Sequence, residues 1–183
     1  MKNKLMIDIE TTGQKPGCRV LSFAAFGFSK TGEQVQIYKK LFAAEQTSHG
    51  LTDEKETIEW WKNQNPAIRN EAFGGTENTA IAISEFKMFF YKHFSTEYGQ
   101  NLQVWCCGAD FDFAILKKLF SVYGFEFPWK FYSQCDYRTL KTLYPEIKKA
   151  EKKNSGAHSA LEDAMAQMRG LREFFEKHPE AKQ

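Results

Sequence analysis

The chain has 183 residues, a formal net charge of +2, 42% hydrophobic and 26% charged residues. That size suits a single domain over residues 1–183 with a substantial core, and the balance is ordinary for a soluble globular protein. It excludes a global positive field for nucleic acid, so any polyanion has to be held by a local patch.

Residues 4–10, in KLMIDIETTG, form a short apolar run closed by Thr-Thr-Gly and predict a first strand. RVLSFAAFGFS and EQVQIYKKLFA follow as strands of a meander. From residue 53 the texture turns helical: TDEKETIEWWKNQNPAIRNEAF, where Pro66 starts a second helix or kinks the first. NTAIAISEFKMFFYKHF then places Ile81, Phe86, Phe89, Phe90 and Phe94 on one helical face. NLQVWCCGA predicts a buried strand, ADFDFAILKKLFSVYG a helix closed by Gly124, and FYSQCDYRTLKTLY a strand running into a helix. A charged stretch, PEIKKAEKKNSG, leads to a last helix whose inner stripe is Leu161, Ala164, Met165, Met168, Leu171 and Phe175. The order βββ-α-α-β-α-β-α-α implies an α/β fold, a mixed five-stranded sheet flanked by α-helices.

Cys18, Cys106, Cys107 and Cys135 lack metal-ligand spacing and read as free thiols; Cys106 and Cys107 are adjacent in a strand and face opposite sides. No segment reads as a signal peptide and no apolar run approaches the ~20 residues of a membrane span, so a reducing cytoplasm is expected.

Alternation puts Asp8 and Glu10 on one face of the first strand, Cα atoms ~6.7 Å apart, with Ile7 and Ile9 on the other. Two carboxylates there are costly to bury without a positive partner, and a hard divalent cation is the obvious one. D-x-E alone is weak, arising by chance roughly half a time in a chain of this composition. In GADFDFAIL, Asp110 fits an N-cap and Asp112 the first turn, near the positive helix end. In GAHSALEDAMAQ, Ser159 and Glu162 read as a capping box that leaves His158 on the preceding loop and Asp163 in the first turn, so the loop can bring imidazole to carboxylate. Four acids from the ends of separate elements form a set that two ions ~3.5–4 Å apart can share while clamping a phosphodiester, with His158 able to take a proton from water near neutral pH.

MIDIETTG, GADFDFAIL and HSALED, in that order, resemble the three exonuclease motifs of the DEDDh, or DnaQ-like, superfamily. ETIEWWKNQNPAIRNEAF and the Asp-Tyr-Arg-Thr-Leu of residues 136–140 are similar to features of the DexA-like phage exonucleases and the Rv2179c-like 3′-5′ exoribonucleases. The resemblance implies a ribonuclease H-like fold and 3′→5′ hydrolysis to nucleoside 5′-monophosphates with two Mg²⁺ or Mn²⁺ ions. It implies Asp8, Glu10, Asp112 and Asp163 as metal ligands, His158 as general base, and Thr11, Thr12, Gly13, His49, Trp61 and Phe111 at the substrate. The partner would be the 3′ end of single-stranded DNA or RNA, DNA slightly favoured, met by a monomer or homodimer in a bacterial or phage-infected cytoplasm. Where many relatives have an Asn-containing turn before the second motif, this chain has Cys-Gly-Ala-Asp.

Other residues carry two readings each. Asp110 is a cap or a site residue, and Asp136 a structural acid more than a fifth ligand. Trp60 and Trp61 point ~100° apart on a helix, so at most one faces a groove; core packing competes with base stacking for each. His49, in His-Gly-Leu-Thr, matches a segment that lies by the terminal nucleotide in some relatives. Lys148, Lys149, Lys152 and Lys153 are a solvated loop or a grip on the phosphate backbone. The rivals to a DNA-trimming enzyme are an RNA-processing exoribonuclease and a non-catalytic nucleic-acid-binding or polymerase-associated module of the same fold.

Overall fold

The computed structural model describes residues 1–94, 101–147 and 158–179. Its five strands are β1 (Lys4–Thr11), β2 (Val20–Phe28), β3 (Gln34–Lys40), β4 (Gln103–Cys106) and β5 (Gln134–Asp136). They form one mixed sheet in the order β3-β2-β1-β4-β5. The first three make the expected antiparallel meander, and β1, β4 and β5 run parallel.

Among the described residues six α-helices cover the sheet: α1 (Lys55–Lys62), α2 (Pro66–Phe73), α3 (Thr79–His93), α4 (Asp112–Val122), α5 (Tyr137–Leu143) and α6 (Ala160–Lys177). Pro66 starts a helix instead of kinking one, so three helices rather than two separate β3 from β4. The Asn65 side chain caps α2 by accepting from the Ala67 amide at 2.8 Å, and proline fills a first-turn position where no N–H is missed.

Strand alternation splits the core. Leu5, Ile7 and Ile9 face α3 and α4, packing with Phe86, Phe90, Phe113 and Leu116, whereas Met6 lies on the other face with Trp105, Tyr137 and the α6 residues Ala164, Met168 and Leu171. Cys106 and Cys107 divide between the same two clusters. One core expectation fails: Ile81 is exposed, and Ala82 and Ile83 take its place in the stripe that continues through Phe86, Phe90 and Phe94. Spacings of three and four from Ile83 keep that face, whereas the five from Ile81 to Phe86 do not.

Two capping expectations also change. Ser159 occupies the N-cap of α6 but makes no side-chain cap hydrogen bond; its carbonyl accepts from the Asp163 amide at 3.0 Å. Asp110 is exposed in the turn before α4, and Phe111 holds the N-cap position. The lysines at 148–153 lie outside the described residues. Among the described residues no helix is long and apolar enough to cross a membrane.

Candidate active site

The site begins where β1 outruns its parallel neighbour. β4 pairs with β1 over Lys4–Met6 only, while β2 follows β1 to Thr11. Asp8 and Glu10 therefore stand past the last β1–β4 rung, at the carboxyl ends of parallel strands, where crevices open in α/β sheets. They share the Met6 face, beneath α6. The strand ends in an irregularity: Glu10 opposes Ser22 and Thr11 opposes Val20, so Leu21 is passed over. Such bulges re-aim side chains beside sites.

Asp112 arrives by a tied turn. Gly108, at φ +127°, donates its amide to Asp136 Oδ1 at 3.0 Å, and its carbonyl accepts from the Phe111 and Asp112 amides at 2.9 and 3.1 Å. A Cβ at position 108 would meet the Arg138 guanidinium at 3.1 Å, so glycine answers both the backbone and the space. Asp136 is occupied structurally: Oδ1 also accepts from the Arg138 amide and Oδ2 from the Thr139 hydroxyl. Asp112 itself is buried and takes a hydrogen bond from the Cys106 thiol.

The third element is α6. Asp163 and Gln167 are one turn apart on its face towards β1, and Gln167 Nε2 donates to Asp8 Oδ1 at 2.7 Å. His158, on the approach to the helix, comes together with Asp163 and Glu10: one ligand atom of each lies within 4.8 Å of the others. The first strand, the turn before α4 and the start of α6 thus converge on one place.

The charges there are strained. Burial, then the fields of Asp112, Glu10 and Asp163, push the Asp8 carboxyl well above the usual range, against the Gln167 hydrogen bond. Burial, then Asp163 and Asp112, push Glu10 up to about 8. Burial pushes Asp112 up to about 7, although its own backbone hydrogen bond, the Cys106 thiol and the Arg138 charge act the other way. At an effective dielectric of ~20, two unit charges ~5 Å apart repel by roughly 3 kcal/mol, so four acids in mutual range call for cations.

Beside the acids lies a cleft of about 660 Å³ whose walls include Glu10, Thr11, Gly13, Trp60, Phe111 and Arg138. Of the residues expected at the substrate, Thr11, Gly13 and Phe111 line it. Trp61 lines it too, but is only 2% exposed and donates its indole N–H to the Thr11 carbonyl at 2.8 Å, locking α1 to the end of β1. Trp60, 43% exposed, is the tryptophan that offers its surface, its ring edge-on to His158 at 5.0 Å between centroids. Thr12 departs from expectation: it is fully buried, its hydroxyl turned to the carbonyls of Arg19 and Thr52. His49 departs as well, stacking in the open on Tyr123 at 4.0 Å between centroids. Both serve the scaffold around the strand end.

A family model described as the 3′-5′ exoribonuclease Rv2179c-like domain matches residues 3–175. The chain belongs to this family. It is therefore a 3′-5′ exonuclease, a phosphodiester hydrolase acting on nucleic acid. The exodeoxyribonuclease of Enterobacteria phage T4 is 31% identical over 159 residues, covering 73% of this chain and 68% of its own length. E. coli exonuclease I, solved with a 5cy-dA13 oligonucleotide, superposes with a TM-score of 0.64 at 17% identity over 97% of this chain. This chain spans only 41% of that one. The nuclease domain of 3′hExo, a DEDDh family member bound to rAMP, gives 0.62 at 13% identity over 95% of this chain and 92% of that one. At those identities the likeness is one of fold, the ribonuclease H-like sheet with its helices.

The exonuclease's donor set suits the divalent ions that DEDDh enzymes use: carboxylates raised in pKa by burial and then by one another's charge, with one imidazole beside them. Sequence reasoning passed over two residues here and left a third, Trp60, undecided. Gln167 could have been found from its i, i+4 spacing to Asp163. Arg138 was visible only inside the Asp-Tyr-Arg-Thr-Leu match, and no local pattern ranks Trp60 above Trp61.

Proposed function

We propose that this exonuclease removes nucleotides one at a time from the 3′ end of single strands, releasing nucleoside 5′-monophosphates, with His158 as general base. The observation that carries the reading is the meeting of Glu10, His158 and Asp163 within 4.8 Å, beside a half-buried Asp8 and a buried Asp112. Asp8, Glu10, Asp112 and Asp163 would hold two Mg²⁺ or Mn²⁺ ions, whose four positive charges match four carboxylates. When bound, the ions supply electrostatic stabilisation for charge developing on the phosphoryl oxygens.

The chain's own residues do the rest. An imidazole nitrogen of His158 accepts a proton from water as that water's oxygen bonds to phosphorus and the bond from phosphorus to the penultimate 3′ oxygen breaks. Gln167 holds one oxygen of Asp8 and so fixes how the other is presented. Trp60 and Phe111 offer ring surface for the terminal base, and Arg138 a charge for phosphate. The cleft is of a size for one nucleotide, which favours a free end over an internal bond. We take residues 1–183 as one exonuclease domain working in a reducing cytoplasm, which suits its four free thiols.

DNA is the substrate slightly favoured, and the phage exodeoxyribonuclease relative supports it. RNA is the second reading, supported by the family description. Matched single-stranded DNA and RNA oligomers, each with Mg²⁺ and with Mn²⁺, separate the two by rate of mononucleotide release. Failure to release mononucleotides from either, with both metals, would sink the reading altogether.

A further inference from the structure

A second cavity, of about 740 Å³, opens at the opposite end of the sheet from the acids, around the start of β1. Its charge is opposite as well: Lys2, Lys4, Lys30 and Arg172 line it against the single carboxylate of Glu176, which pairs with Arg172 at 2.8 Å. Among the described residues Lys2 and Lys30 have no acidic partner. Lys4 is the unusual member. It is 6% exposed, and its ammonium donates to the neutral Gln103 Oε1 at 2.7 Å and lies 4.9 Å from the centre of the Phe175 ring. An ammonium has three donors, and a buried cation held by an amide and a ring face has no compensating charge. Burial lowers its pKa accordingly.

The chain also turns at this place: among the described residues the two non-glycines with positive φ are Asn3 at +51° and Asn101 at +48°, asparagines being the side chains that tolerate such turns, and both line this cavity just before β1 and β4. Phe28, half-buried, adds aromatic wall, whereas the buried Phe175 ring backs Lys4. Unpaired cations beside an aromatic side chain suit a phosphate that carries a base.

We propose that this cavity binds a nucleotide phosphate at a site separate from the acids, with the exposed Lys2 and Lys30 on the phosphate, Lys4 adding its charge from behind them, and Phe28 against the base. Two sources share that chemistry: the free mononucleotide product and a nucleotide within a single strand. Lys4 and Glu10 are six residues apart on one strand, roughly 20 Å at ~3.3 Å per residue, so a strand entering the acid cleft could extend to the basic end.

The test reads binding of deoxyadenosine monophosphate and of a short single-stranded oligodeoxyadenylate to the full chain in EDTA. Without divalent metal the acid cleft loses the ions that would hold phosphate, and any binding left there is common to wild type and variant, so the difference between them reads the basic cavity. The wild type is compared with the double variant Lys2→Glu, Lys30→Glu, both exposed positions. Loss of affinity by about tenfold or more for the mononucleotide, with binding weakened by salt, supports a product site. The same loss for the oligomer alone supports a strand site. Equal affinity in variant and wild type, or no binding of either probe, overturns the proposal. Metal-dependent hydrolysis of a dinucleotide, too short to reach the basic end, is expected unchanged in the variant. Because binding is read without metal, its failure leaves the exonuclease reading standing, and the reverse also holds.

Discussion

The two ends of β1 solve the same problem differently. At the Lys4 end a buried cation is steadied by an amide oxygen and a ring face; at the Asp8 end a half-buried carboxylate receives one amide hydrogen bond and the fields of three other acids. The first arrangement is tolerable within the chain. The second is not, because each neighbour of Asp8 adds repulsion. A single strand alternation supplies both positions, Lys4, Met6, Asp8 and Glu10 sharing one face. The contrast is one of sign and company: the acidic end gathers like charges, whereas the basic end holds a single buried cation among neutral partners.

The largest effect should come from neutralising the acidic end. Asp8→Asn keeps an oxygen for Gln167 but removes the charge. Metal-dependent hydrolysis should fall below about a thousandth of wild type, a loss beyond that of a single stabilising donor. At the same time the metal-free protein should melt higher, on the order of 5 °C. Retained turnover, or a lower melting temperature, would break the comparison. Next, His158→Ala should slow hydrolysis by roughly 10²–10⁴-fold, since it removes the proton acceptor and no metal ligand charge. Normal rates near pH 7.5 would remove His158 from the mechanism.

The same contrast has a pH signature. Glu10, ordinarily near 4.5, sits at about 8, and Asp112, ordinarily near 3.8, at about 7. Their folded pKa values are raised, so the folded state binds more protons than the unfolded one between about pH 4 and 8, and stability declines as pH rises through that window. Thermal melts in EDTA should therefore fall from pH 5 to pH 8, and added Mg²⁺ should restore most of the loss at pH 8 by mass action. A flat profile would mean the acids are not in each other's field. A smaller effect belongs to Gln167→Ala, which frees Asp8 without touching the acids. Hydrolysis should drop about 10–100-fold, the usual worth of a group that orients a ligand.

Much of this was legible in the sequence, and the boundary is physical. Alternation alone put Asp8 and Glu10 on one face, because side-chain period in a strand is fixed by the backbone. Their meeting with Asp112 and Asp163 is a tertiary event; only the order of the three motifs pointed to it. Local chemistry misled where the backbone had already been satisfied. Ser159 followed by Glu162 reads as a capping box, yet the Ser159 side chain makes no cap bond, and Asp110 loses the cap position to Phe111 because the turn closes on the Gly108 carbonyl instead. Thr12 reads like part of the Thr-Thr-Gly mouth, but its amide and hydroxyl both turn towards the Arg19 carbonyl.

The two tryptophans give the finest version of the contrast between a residue that builds the site and one that serves it. They are neighbours on α1, yet one indole is sealed against Thr11 and the other faces His158 across the cleft. Trp61→Phe keeps an aromatic ring but loses the N–H together with part of the indole's buried volume, leaving the Thr11 carbonyl without that donor. The cost should be about 1–3 kcal/mol of stability, read by denaturant titration, with little change in KM. Trp60→Ala should do the reverse: stability nearly unchanged, and KM for a single strand raised roughly 5–150-fold, since losing one stacked base is worth ~1–3 kcal/mol. Should Trp60→Ala lower kcat with KM constant, its ring would be positioning His158 instead of holding a base. The ratio of the two kinetic effects therefore assigns the side chain, and a double variant in which the losses simply add would show that α1 divides the two jobs between adjacent residues.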